Sequence, residues 1–108
     1  MAKVIWEHSA LIVLFDYVEN ARLEFGASTA KRWQKERKDA EWSLEHYPTS
    51  HTPEQLLRLK KKLYRGRHLM NRRFKLIYYY DEVEDTVHIV DIWDTRMNPK
   101  ALARRIKS

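Results

Sequence analysis

Apolar residues recur along this chain with two different periods, and the change of period divides it. The positions Leu11, Leu14, Phe15, Val18, Ala21 and Phe25 fall three and four apart, which is the spacing of one helix face. Ser9 stands where it would cap that helix, and Gly26 where it would stop it. A second helix is expected from Ser28 or Thr29 to about His46, ahead of Pro48. Its inner stripe is Ala30, Trp33, Ala40 and Leu44, interrupted by Arg37, and its outer face carries Lys31, Lys35, Glu36, Lys38, Asp39 and Glu45. So short a break between the two predicts an antiparallel hairpin. Ahead of it, Val4, Ile5 and Trp6 mark a short opening strand over residues 3–7.

After Pro48 the pattern changes. Thr52-Pro53-Glu54-Gln55 has the form of a helix start, with Thr as cap and Pro at the first helical position, and predicts a short helix to about Lys60. Three candidate strands follow, over residues 63–70, 73–81 and 86–94, the last rich in β-branched and aromatic residues. Asn71 is expected in the first turn, and an acidic turn over residues 82–85 in the second. Asn98-Pro99 repeats the cap-plus-proline signal and opens a short basic helix with Leu102 and Ile106 on one face. This order predicts an α+β fold: an N-terminal strand and a helical hairpin packed on a small, mainly antiparallel sheet, closed by a short C-terminal helix.

Composition narrows the class. With 108 residues, 44% of them hydrophobic and 12% aromatic, the chain is expected to be one folded domain over residues 1–108. Gly is 2 and Pro 3, which excludes low-complexity and collagen-like readings. Cys is absent, so a disulfide framework, a thiol nucleophile and a cysteine-ligated metal are excluded. The longest apolar run, residues 10–15, is too short to span a bilayer. The first residues lack the pattern of a signal peptide, and a cytoplasmic protein is expected. No glycine-rich phosphate loop and no nucleophilic-serine motif is present, and no cofactor is expected. His88, Asp91 and Asp94 contain metal-ligand chemistry, but strict alternation would put His88 and Asp91 on opposite faces of a strand, so no metal site is expected. Trp6, Trp33 and Trp42 read as core or partner-facing, and Trp93 and Asp94 as pinning a strand end.

The net charge is +6, and its distribution says more than its size. Residues 55–80 contain no acid and nine bases: Arg58, Lys60, Lys61, Lys62, Arg65, Arg67, Arg72, Arg73 and Lys75. So concentrated a field attracts polyanions, and nucleic acid is the default partner for it. Lys60, Lys61, Lys62, Arg72 and Arg73 are the candidate nucleic-acid contacts. Tyr64, Phe74, Tyr78, Tyr79 and Tyr80 interleave with the bases, as strand core for the most part.

Four features, taken together in order and spacing, resemble the RelE/ParE superfamily of type II toxin–antitoxin toxins. Val4-Ile5-Trp6 opens the chain before a helical hairpin; Tyr64-Arg65-Gly66-Arg67-His68-Leu69 is similar to the family's Arg-containing second strand; Phe74-Lys75-Leu76-Ile77-Tyr78-Tyr79 is similar to its third; and Ile89 to Arg96 is similar to a fourth strand ending in a basic residue. The resemblance implies a toxin that cleaves mRNA on the ribosome without a metal, or one that poisons DNA gyrase, or a non-catalytic relative of either. It also implies a cognate antitoxin protein as partner. For RNA cleavage it places Arg65, Arg67, Lys75 and Arg96 in one cationic pocket, with Lys75 where the family usually has arginine. Lysine makes no bidentate phosphate contact, and Arg73 is a candidate substitute. The family's C-terminal tyrosine or histidine is missing here, which leaves proton transfer to Lys62 or Lys75 in a catalytic reading and favours the gyrase alternative. Trp42, Tyr47, Leu102 and Ile106 are the candidate antitoxin contacts.

Overall fold

The computed structural model describes residues 1–107. Its elements are β1 (Lys3–Trp6), α1 (His8–Phe25), α2 (Ala27–His46), a single 3-10 turn (Gln55–Leu57), β2 (Tyr64–Leu69), β3 (Phe74–Asp81), β4 (Thr86–Asp94) and α3 (Pro99–Arg105). The four strands form one sheet in the order β1-β4-β3-β2. β1 lies parallel to β4, with Lys3 opposite Thr86, while β4, β3 and β2 run antiparallel.

Side-chain alternation gives the sheet two apolar faces, and both are covered. Leu69, Phe74, Leu76, Tyr78, Val87, Ile89 and Ile92 face the hairpin, where Ala10, Leu14, Ala21, Trp33, Ala40 and Leu44 meet them. Tyr64, Ile77 and Trp93 face the other way, against Leu57 of the 3-10 turn and Leu102 and Ile106 of α3 and its C-cap. A bulge keeps both faces supplied: Ile77 pairs with Asp91 but Tyr78 pairs with Ile89, so Val90 is the extra residue. The bulge therefore puts Asp91 on the same face as His88, where strict alternation had separated them. Each has its own partner. His88 stacks on Tyr79 at 4.8 Å and lies 3.2 Å from a Glu7 carboxylate oxygen, whereas Asp91 accepts a hydrogen bond of 2.6 Å from Arg105. Burial outweighs that guanidinium and pushes the Asp91 carboxyl up to about 6.

Several local expectations give way to tertiary structure. α1 begins at His8 with Glu7 in the cap position and no side-chain cap, because the Glu7 N–H is bound to Ile89 O in the sheet and the chain passes directly from strand to helix. Phe15 and Phe25 are exposed; Tyr17 turns inward instead, stacked on Trp33 at 5.7 Å and against Phe74 at 4.7 Å. Gly26 does end α1, at φ 94, with its N–H on Arg22 O, and the Asn98 side chain caps α3 as expected. The Thr52-Pro53 helix start is not used. Thr52 O accepts the Gly66 N–H, Pro53 bridges Arg65, and Glu54 N–H donates to Tyr64 O, so this segment is tied to the edge of β2. Glu54 caps the 3-10 turn in its place. Leu102 and Ile106 are buried and so are not open to a partner, whereas Trp42 and Tyr47 are exposed.

Candidate functional site at the β2 edge

Arg65 and Arg67 alternate onto one face of β2, opposite Tyr78 and Leu76 of β3. That is the hairpin side of the sheet. The loop after α2 comes back to this edge and brings His51 with it. Arg65 donates to His51 O at 2.7 Å, the imidazole meets the Tyr78 ring edge-on at 6.2 Å, and its Nε2 lies 3.0 Å from Ser43 Oγ. The Tyr78 hydroxyl donates to Pro48 O at 3.0 Å, which fastens the same loop to the sheet. Burial, then the charges of Arg67 and Arg65, hold the His51 imidazole below its ordinary 6.5. The Tyr78 phenol is pushed up to about 12 by burial and stays protonated.

Lys75 does not join this pair. It stands opposite His68 and Trp93, on the α3 side of the sheet. Its ammonium is held at 2.7 Å by Glu54, whose side chain is almost fully buried and whose other oxygen accepts the Leu56 N–H. Its stem crosses Gly66 so closely that a Cβ there would lie 2.6 Å from Lys75 Cδ. The single cationic pocket expected for Arg65, Arg67, Lys75 and Arg96 is thus divided by the sheet, because β2 and β3 pair in a register that sets Lys75 against His68 rather than beside Arg67. His68 shares the Lys75 face, and burial, then Arg72 and Lys75, lower its pKa.

Arg96 lies at the end of β4, gripped by Asp94 through both its Nε and a terminal nitrogen at 3.2 and 3.0 Å. Those hydrogen bonds hold the Asp94 carboxyl below its ordinary value. Arg96 borders a groove of about 590 Å³ between the tip of the hairpin and the β2–β3 turn, together with Arg32, Arg73, Tyr17, Phe25 and Phe74. Arg73 sits over the Phe74 ring at 5.8 Å. Arg72 precedes it in a turn where Met70, Asn71 and Arg72 all have left-handed φ, of 53, 55 and 68. Glu36 accepts the Met70 N–H at 2.7 Å and Thr95 Oγ1 donates to the Arg72 and Arg73 carbonyls, which holds the turn in place. Lys60 and Lys61 belong elsewhere, around a depression completed by Lys107. Lys62 lies over the Tyr79 ring at 5.0 Å.

Two residues of consequence escaped the sequence. His51 lies in a turn-rich stretch 14 positions from Arg65, and no spacing rule ties them. Glu54 had a faint signal, as the last acid before the acid-free stretch. Among the described residues no group of His, Asp and Glu is arranged to hold a metal ion, and no helix is long and apolar enough to cross a membrane.

No protein-family model and no curated protein matches this sequence. Solved structures do match its fold. A chain of the chromosomal ParDE TA system from P. aeruginosa superposes with a TM-score of 0.68 at 14% identity, over 87% of this chain and 96% of that one. The isolated E. coli RelE toxin gives 0.57 at 12% identity, over 98% and 100%, and the intact E. coli RelBE toxin–antitoxin complex gives 0.53 at 10%, over 87% and 96%.

Proposed function

Starting from the RelE/ParE toxin fold that these superpositions establish, we propose that the chain is the toxin of a type II toxin–antitoxin system, that it cleaves mRNA on the ribosome without a metal, and that the β2 edge is its centre. The observation that carries this reading is the placement of His51 at the β2 edge, where Arg65 donates to its carbonyl and the imidazole meets Tyr78 edge-on, with burial and the charges of Arg67 and Arg65 lowering its pKa. RNA cleavage of this kind needs a base for the 2′-hydroxyl proton and cations for the charge that gathers on phosphorus. His51 takes the proton as the 2′-oxygen attacks; Arg67 and the outward nitrogens of Arg65 hold the non-bridging oxygens. The products are a 2′,3′-cyclic phosphate and a 5′-hydroxyl, the latter protonated by solvent. Arg72 and Arg73, on the held turn at the far end of β2, contact the flanking backbone. A cognate antitoxin covers the toxin until it is released.

The test is primer extension on a defined mRNA in a purified translation mixture. Cleavage that requires ribosomes and disappears in His51→Ala and Arg67→Ala supports the reading. One observation favours a second. Lys75 and Arg96 are each committed to an ion pair, which leaves two arginines where four cations were expected. A toxin that works by binding alone, as a gyrase poison does, has no need of four. Gyrase-dependent DNA breaks with intact mRNA would establish that alternative.

A further inference from the structure

The segment between the 3-10 turn and β2 is at odds with its own sequence. Residues 55–63 read Gln-Leu-Leu-Arg-Leu-Lys-Lys-Lys-Leu. Every one of these is a strong helix former, with no glycine, proline or β-branched residue among them. The segment nevertheless makes only isolated turns: Arg58 N–H to Gln55 O at 3.3 Å and Lys60 N–H to Leu57 O at 3.0 Å. In a helix, Arg58 would stand one turn from both Lys61 and Lys62, and such like-charge pairs are unfavourable. Nothing acidic in the segment relieves them.

The turns also leave its leucines in water. Leu59 is 90% exposed, Leu63 58% and Leu56 40%. At spacings of three and four these leucines would fall within about 60° of one another around a helix. Only Leu57, at 2% exposure, is anchored in the core. Conflicts between strong local preference and observed conformation are expected at functional or strained segments.

We infer that residues 55–63 are a docking element for an acidic segment of a partner protein, and that they wind into an amphipathic helix when it binds. The partner's carboxylates neutralise Arg58, Lys60 and Lys61 and so remove the repulsion that opposes the helix. Its apolar side chains cover Leu56, Leu59 and Leu63. Charge complementarity selects the acidic partner. The leucines argue against a phosphate backbone, which has no use for them. Unbound, the segment itself lines shallow depressions of about 270 Å³, with Lys107, and of about 230 Å³, with Pro53 and Tyr64, so it is not packed down onto the rest of the chain. The element lies on the α3 side of the sheet, away from Arg65 and Arg67, and its role does not depend on what chemistry the β2 edge performs.

The experiment uses the full chain, a synthetic amphipathic peptide of glutamate and leucine, anionic phosphatidylglycerol vesicles and a short RNA duplex, with binding followed by NMR. On peptide binding, the Cα shifts of residues 55–63 are expected to move to helical values. Leu59→Ser, at a fully exposed position, is expected to weaken the peptide by about ten-fold or more while leaving the unbound spectrum otherwise unchanged. Lys60→Glu with Lys61→Glu is expected to abolish binding. Equal binding by Leu59→Ser, peptide binding without the helical shift, or a helical shift produced only by vesicles or only by RNA would each overturn the inference. None of these outcomes depends on toxicity or mRNA cleavage, so its failure and that of the endonuclease reading are separable.

Discussion

The Glu54–Lys75 pair is the clearest case of a residue whose chemistry is fixed by its surroundings. Glu54 is buried and its partner mostly so. Removing one member of a buried pair leaves the other charge uncompensated. Lys75→Met is therefore expected to cost about 3 kcal/mol in urea denaturation, and adding Glu54→Gln to recover most of it. A loss under 1 kcal/mol would mean that water reaches the carboxylate. The expected loss would give Lys75 a part in holding the strand edge together, where the family resemblance implies a part in catalysis. His51 gives the second residue-scale prediction. Burial makes its imidazole take a proton less readily in the folded protein than in the unfolded chain, so folding stability from this group is present above its ordinary 6.5 and lost as pH falls below it. Its ring-proton resonance should titrate with a midpoint below 6.5, and the cleavage rate should fall on the acid side with the same midpoint. A midpoint at or above 6.5 would mean that burial and the two arginines do not lower the imidazole, and a cleavage rate that does not fall with the His51 midpoint would remove His51 as the base.

Among the elements, the β2–β3 turn carries the most strain. Met70, Asn71 and Arg72 are consecutive L-residues in left-handed backbone, a conformation costing roughly 1–2 kcal/mol each where no side-chain bond relieves it. Arg72 is exposed, and only its carbonyl is used to hold the turn. Arg72→Gly is expected to stabilise the fold by about 0.5–1 kcal/mol while weakening RNA binding, as read by thermal melting and by the salt dependence of binding. Destabilisation would mean that the arginine stem is packed where the turn needs it. The elements themselves were largely legible. Hydrophobic period and caps located the hairpin, the three antiparallel strands and α3 to within a residue or two. The failures have two causes. Ser9 and Thr52 are local signals that lost to sheet pairing, through a backbone hydrogen bond from Glu7 to Ile89 and a bridge from Pro53 to Arg65, while the helix through Lys60 gave way to isolated turns in a segment crowded with like charge. The bulge at Val90 left no local mark at all, yet it decides which face Asp91 occupies.

At the scale of the molecule, the sheet separates two cationic regions that the sequence presents as one stripe. Periodicity correctly put Arg65 and Arg67 together and His68 away from them. It could not put Lys75 on either side, because that depends on the register across a turn whose three left-handed residues no propensity anticipates. Nor could it bring His51 to the β2 edge, since that contact is made by a loop returning from the far end of α2. One face thus carries an imidazole and two arginines, and the other a buried ion pair, α3 and a leucine–lysine segment. The central claim is that the first of these does the chemistry, and the most direct test is a comparison of initial mRNA cleavage rates on ribosomes for the wild-type chain, His51→Ala, Arg67→Ala and Arg96→Ala. The account predicts a loss of about 100-fold or more in each of the first two variants and a change of only a few-fold in Arg96→Ala. Cleavage that survives in His51→Ala and Arg67→Ala but disappears in Arg96→Ala would move the centre to the groove at the hairpin tip and contradict it.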